Sequence, residues 1–95
     1  MHFKSLKKIS LDIDGVFCIS INEREDRREL LRKEFASLEN EIEFVLVDRD
    51  HENGERGCFN SHVMCAKLAL TRGYKRILIL EDDATLLPTS QKQIR

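Results

Sequence analysis

Apolar residues fall along this chain in blocks whose spacing changes from one to the next. Ile9, Leu11 and Ile13 alternate with polar residues, as in an edge strand or an extended lead-in. After Gly15 the run Val16 to Ile21 is more continuous and β-branched, which predicts a buried strand. Leu31, Phe35 and Leu38 then recur at i, i+4 and i+7, with Leu30 beside them. Arg24, Arg27, Arg28, Arg32, Lys33 and Glu34 fill the remaining positions, so an amphipathic helix with a charged outer face is expected to about Glu39. Asn22 stands where a capping residue would, with Glu25 three positions on as in a capping box. Ile42 to Val47 returns to strand patterning, and Asn53-Gly54 marks a turn in the polar stretch from Asp48 to Arg56. A second helix is expected from about Cys58 to Arg72, with Met64, Cys65 and Leu68 as its apolar stripe and Gly73 as its left-handed stop. Arg76 to Glu81 carries four consecutive aliphatics, the pattern of a central parallel strand. The segment before Val16 is read as a lead-in (residues 1–15), and residues 88–95 as a polar tail.

Strand, helix, strand, helix, strand is the order that builds an open parallel sheet with helices packed on it. Ligands of such α/β sheets bind outside the carboxyl ends of the strands. Here those ends are Ser20 to Glu23, Asp48 to Asp50, and Glu81 to Asp83.

Composition narrows the function. Sixteen Lys and Arg against 17 Asp and Glu in 95 residues leave a formal charge of −1 and no basic footprint for nucleic acid. No apolar run approaches the roughly 18 residues of a spanning helix. Met1 to Lys8 lacks the apolar core of a secretory signal. Three cysteines, Cys18, Cys58 and Cys65, form no recognisable framework, so reduced thiols in a cytoplasmic protein are expected.

Two segments carry candidate chemistry. Glu81-Asp82-Asp83 places three carboxylates at the end of the most aliphatic strand. Their repulsion is relieved by a proton or a hard divalent ion, Mg²⁺ or Mn²⁺, which in turn could hold and neutralise a diphosphate leaving group. The alternative is a solvated acidic turn. Gly57-Cys58-Phe59-Asn60-Ser61-His62 is read as a helix opening, with a glycine for close backbone approach and free amides. Ser61 and His62 would then bond either a ligand or their own loop. His51, Cys58, His62 and Cys65 follow no standard zinc spacing.

Together these blocks resemble glycosyltransferase family 25, the lipooligosaccharide-biosynthesis β-galactosyltransferase-like family. The resemblance rests on VFCISINEREDRRE (Val16 to Glu29), GERGCFNSH (Gly54 to His62) and ILILEDDATLL (Ile77 to Leu87), with the strand ending in Asp48 between them. It implies a partial GT-A-like, Rossmann-type α/β sheet over residues 16–87. It also implies metal-dependent transfer, with inversion, of a sugar from a nucleotide-diphospho-sugar to a glycan acceptor. UDP-galactose is the expected donor, and Mn²⁺ or Mg²⁺ the expected cofactor. On this resemblance Asp82 and Asp83, supported by Glu81, are the metal ligands. Ser20, Asp26, Arg27, Asp48, Ser61 and His62 belong to the donor side. Ser20-Ile21 stands where the family usually has Asn-Leu, and Glu23 where it usually has Arg. The family's catalytic domain is roughly twice this length. The chain is therefore expected to be the donor half of a transferase, a fragment or degenerate copy. Without an acceptor half or an evident general base it should be inactive alone, marginally stable and prone to self-association.

Two other readings compete. Asp12-Ile13-Asp14-Gly15 resembles the first motif of haloacid-dehalogenase-type phosphatases, with Asp12 as nucleophile, Asp14 as acid and base, and Asp82 with Asp83 on Mg²⁺. A non-catalytic module would instead use the Arg24 to Arg32 face to bind a partner.

Overall fold

The computed structural model describes residues 8–85. Five elements follow one another: β1 (Gly15–Ile21), α1 (Glu25–Glu34), β2 (Ile42–Val47), α2 (Gly54–Arg72) and β3 (Ile77–Glu81). The strands form one parallel sheet in the order β2-β1-β3, with Val16 opposite Ile42 and Leu78, and Ile19 opposite Val45 and Glu81. The α/β reading and the parallel pairing of the three strands hold. The expected tail at 88–95, and Leu86 and Leu87 of the acidic block, lie outside the described residues, as do residues 1–7 of the lead-in.

Strand alternation divides β1 between two cores. Phe17 and Ile19 face α2, where Val45, Cys65 and Ala69 complete a buried cluster with Ile77, Ile79 and Tyr74 around it. Cys18 faces α1 and packs with Leu31 and Phe35, flanked by Leu38, Ile42, Phe44 and Leu80. A helix on each face follows from the topology. The first right-handed crossover runs from β1 out to β2, and the second returns in the opposite direction from β2 past β1 to β3, so the two helices lie on opposite faces. The Leu31, Phe35 and Leu38 stripe thus packs as expected, whereas Leu30 is 64% exposed.

Several boundaries differ from the sequence expectation. Four aliphatics in a row suggested that the third strand is central, but β1 is the central strand and β3 is half-buried at the side of the described sheet. A continuous aliphatic run reports apolar cover on both faces, not a neighbour on both edges. Ile77 and Ile79 pack toward α2, and Leu80 toward α1. Asn22 does not cap α1. Its backbone N–H continues the sheet by donating to Val47, and its side chain donates to Asp48 Oδ1 at 2.7 Å. The helix begins at Glu25 after a turn closed by Arg24 N–H on the Ile21 carbonyl, and it ends at Glu34 rather than Glu39.

Helix α2 starts four residues before the expected Cys58 because Asn53 is its cap, accepting from Arg56 N–H at 3.0 Å. Its buried stripe is Ser61, Cys65 and Ala69, and Met64 is exposed. Gly73 closes it at φ 75°, the left-handed stop that the sequence predicts. The described part of the lead-in before Gly15 forms no strand. Ile9 makes a single bridge to Leu38, and Asn40 exchanges side-chain hydrogen bonds with the Leu11 backbone.

Candidate functional site

The carboxyl ends of the strands open into a cavity of about 380 Å³ on the α2 side of the sheet. Ile19, Ile21 and Val47 form its apolar floor. Its rim is Asp48, Arg49, Asp50 and His51 after β2, Gly57, Cys58, Ser61 and His62 on α2, and Glu81 and Asp82 after β3. The strand-end rule therefore locates the cavity, and three of the segments singled out in the sequence meet there.

The loop after β2 is held rigidly enough to make a wall. Asp50 accepts from the amides of Glu52 and Asn53 and from Arg56 at 2.7 and 2.9 Å. The guanidinium and those amides hold the Asp50 carboxyl well below the usual carboxylate range. Gly57 is required by this arrangement, since a Cβ there would lie 2.9 Å from Asp50 Cβ. The Gly57-to-His62 segment occupies the second turn of α2, not its opening, so its amides are not free for a ligand: Gly57 N–H donates to the Asn53 carbonyl. Ser61 is buried and its hydroxyl donates to the Gly57 carbonyl at 2.8 Å. His62 Nδ1 lies 2.9 Å from the Cys58 carbonyl and 3.8 Å from its Sγ.

The acidic tip is split by strand alternation. Glu81 pairs in register with Ile19 and shares its α2-facing side, where an Oε2 lies 3.9 Å from Cys58 Sγ. Asp82 is one residue further and turns toward α1. There Ser20 Oγ donates to its Oδ2 at 2.9 Å, and Arg27 reaches its Oδ1 at 3.3 Å. Asp83 lines a second cleft with Arg27, Leu30, Leu31 and Ala84, and Asp82 borders both this cleft and the cavity. Among the described residues, the metal-capable side chains whose ligand atoms converge within 4.8 Å are Cys58, His62 and Glu81. The carboxylates of Glu81, Asp82 and Asp83 do not converge on one point in this way, and the donor set of a hard oxygen-ligated ion is not assembled in this geometry.

Behind Asp82 lies a residue that the sequence assigned to the solvent face. Arg28 is only 7% exposed. It donates to Ser20 Oγ at 2.9 Å, to the carbonyls of Ile21 and Asn22, and to Glu25. It thereby gives the Ile21 carbonyl a second donor beside Arg24 N–H, holds the Asn22 carbonyl just beyond β1, and orients the serine that holds Asp82. No periodicity signals this, because Arg28 belongs to an arginine run that looks uniformly polar. Ser20 itself is buried beneath this network and does not line the cavity. Asp26 is exposed and chelated by Arg24 at 2.8 and 2.9 Å, which draws its pKa from the usual 3.8 to about 2.

Asp12 and Asp14 sit at the opposite end of the sheet. Asp14 accepts from the amides of Lys75 and Arg76, immediately before β3. Five strand residues, about 16 Å, separate that level from Asp82. A magnesium ion shared between Asp12, Asp14 and the acidic tip is therefore excluded by distance. The arginine face is largely self-paired: Arg24 with Asp26, Arg28 with Glu25, and Arg32 with Glu25 and Glu29 and over the Phe44 ring.

The cavity wall from Asp48 onward coincides with a family model. Residues 48–95, half of the chain, match the model described as glycosyltransferase family 25 (LPS biosynthesis protein). The chain belongs to glycosyltransferase family 25. The matched stretch contains the loop after β2, all of α2 and all of β3, so every cavity residue except Ile19, Ile21 and Val47 comes from the family segment. No curated protein and no solved structure matches the chain. No helix among the described residues is long and apolar enough to cross a membrane. All three cysteines are free thiols, Cys18 and Cys65 buried and Cys58 exposed on the cavity rim. Burial, reinforced by the Asp82 charge, pushes the Cys18 thiol up to about 12.

Proposed function

We propose that the cavity is the donor side of a sugar-transfer site, taking a nucleotide-diphospho-sugar such as UDP-galactose for delivery to a glycan acceptor. One observation carries the reading: the family-25 segment supplies nearly the whole wall of a cavity at the carboxyl ends of a parallel sheet, where α/β folds bind nucleotides. The apolar floor of Ile19, Ile21 and Val47 suits the flat face of a base. Arg49, His51 and His62 offer nitrogen donors to phosphate oxygens on the rim. Asp82 is held in place by Ser20, Arg28 and Arg27, so it is fixed before any ligand arrives.

Calorimetric titration of the chain with UDP and UDP-galactose, with and without Mn²⁺, tests this. Binding is expected to be lost or weakened at least tenfold in Asp82→Asn and Asp83→Asn and to be unchanged in Asp12→Asn. Loss in Asp12→Asn alone, or a phosphatase activity that this change abolishes, would overturn the assignment.

A further inference from the structure

Cys58 and His62 stand four residues apart on α2 and therefore share one face of the helix. Glu81 is the last residue of β3, and its register opposite Ile19 turns its side chain to that same face. Two elements thus bring a thiol, an imidazole and a carboxylate to one point on the cavity rim. We propose that Cys58, His62 and Glu81 bind a borderline-soft divalent transition ion, best matched by Zn²⁺, with one coordination position left open to the cavity.

The distances fit such an ion with little movement. The thiol sulfur lies 3.8 Å from His62 Nδ1 and 3.9 Å from Glu81 Oε2, and the three ligand atoms lie within 4.8 Å of one another. A tetrahedral zinc with bonds of about 2.3 Å to sulfur and about 2.0 Å to nitrogen and oxygen separates its ligand atoms by roughly 3.3–3.6 Å. Closing the cluster therefore takes shifts of several tenths of an ångström to about one ångström, within the reach of a partly exposed glutamate. Cys58 and Glu81 are exposed and His62 is half-buried, so an ion can enter from solvent.

The donor chemistry selects the metal. Thiolate and imidazole favour zinc over Mg²⁺ and Mn²⁺, which prefer all-oxygen shells. Three protein ligands and an open fourth position resemble a site that holds an exchangeable water or ligand, rather than a closed structural site. Binding sends the Cys58 thiol proton to solvent. It also replaces the contact between His62 Nδ1 and the Cys58 carbonyl, moving the ring proton to Nε2, while that carbonyl keeps its helical N–H partner. Asp48 on the same rim adds negative charge that favours a cation, whereas Asp50 and Asp82 are already paired with Arg56 and Arg27. The spacing along the chain hid this site. His51 lines the cavity but stands outside the converging group, Cys65 is buried in the core, and the third ligand comes from a strand 19 residues after His62.

Metal binding at this cluster does not depend on the sugar-transfer reading, so its test contains no nucleotide. The reduced, metal-free chain is titrated with Co²⁺, and the thiolate-to-cobalt charge-transfer band is followed. Zn²⁺ is then added in competition with a chromophoric chelator. One equivalent is expected to bind, with Zn²⁺ displacing Co²⁺ and with millimolar-range Mg²⁺ displacing neither. Cys58→Ser should abolish the thiolate band, Glu81→Gln should weaken Zn²⁺ at least tenfold, and His51→Ala should leave both unchanged. In the unaltered chain, Zn²⁺ but not Mg²⁺ should protect Cys58 from alkylation, which needs no variant to fold. Absence of a band, a band that survives Cys58→Ser, or equal protection by Mg²⁺ would overturn the proposal.

Discussion

The two faces of the sheet treat their carboxyl ends in opposite ways. On the α1 face, Arg28, Ser20, Asp82 and Arg27 form a chain of hydrogen bonds in which each member has a partner and the arginine at its inner end, Arg28, is buried. On the α2 face, Cys58, His62 and Glu81 border an open cavity, and their contacts with one another run to 3.8 and 3.9 Å. Glu81 and Asp82 are adjacent in sequence, yet strand alternation sends one to each side. The comparison teaches that an acidic motif is not a unit. One carboxylate is used to fix the backbone where β3 leaves the sheet, and its neighbour is left facing a cavity with donors of a different chemical kind. Support and site are separated by a single residue step.

The largest test of this division removes the support. Arg28→Ala takes hydrogen bonds from Ser20 and from two strand-end carbonyls inside a buried site. It should cost about 3 kcal/mol. For a chain of this size that corresponds to a fall in Tm of roughly 10–20 °C, read by thermal circular dichroism. A shift under a few degrees would mean that water replaces the guanidinium without loss.

The next test compares two thiols on one helix. Cys65 is 0% exposed in the core against Phe17 and Val45, so Cys65→Ser buries a hydroxyl there and should cost about 2 kcal/mol. Cys58→Ser on the rim should stay within about 0.5 kcal/mol. Alkylation of the folded chain followed by mass spectrometry should label Cys58 first, with Cys18 and Cys65 labelled only on unfolding.

A smaller effect separates the adjacent acids. Asp82→Asn keeps an acceptor for Ser20 but loses the charge facing Arg27, and should cost about 1 kcal/mol. Glu81→Gln should be neutral for stability in the absence of metal, by urea titration of both variants.

The smallest effects, group by group, come from the exposed ion pairs. Asp26, Glu25 and Glu43 are each held below their ordinary pKa, first by a hydrogen bond from Arg24, Arg28 and Arg72 respectively. A carboxyl with a depressed folded pKa binds protons less readily folded than unfolded. Its contribution is therefore complete above the ordinary carboxylate range and is lost as the pH falls through the folded value. For Asp26 that window runs from the usual 3.8 down to about 2. Tm should stay level from neutral pH to about 5 and decline below 4. A Tm that rose on acidification would show that repulsion among the cavity carboxylates outweighs these pairs.

Much of the fold is written in local periodicity. The β-branched content of Ile42 to Val47, the i, i+4, i+7 recurrence of Leu31, Phe35 and Leu38, and Gly73 as a stop each act within a few residues, so each can be read without knowing the partner. The placement of Asp48 and Glu81 near strand ends was legible for the same reason, since element order in a parallel sheet fixes which ends gather, whereas Ser61 and His62 were singled out by the family resemblance. What alternation and spacing cannot state is which side of the sheet a residue meets and what waits there. Whether β1 or β3 is central depends on pairing between strands about 60 residues apart. The burial of Arg28, the division of Glu81 from Asp82, and the meeting of Glu81 with Cys58 and His62 depend on register and on which helix covers which face. Those are contacts between distant segments, and only the closed structure brings them together.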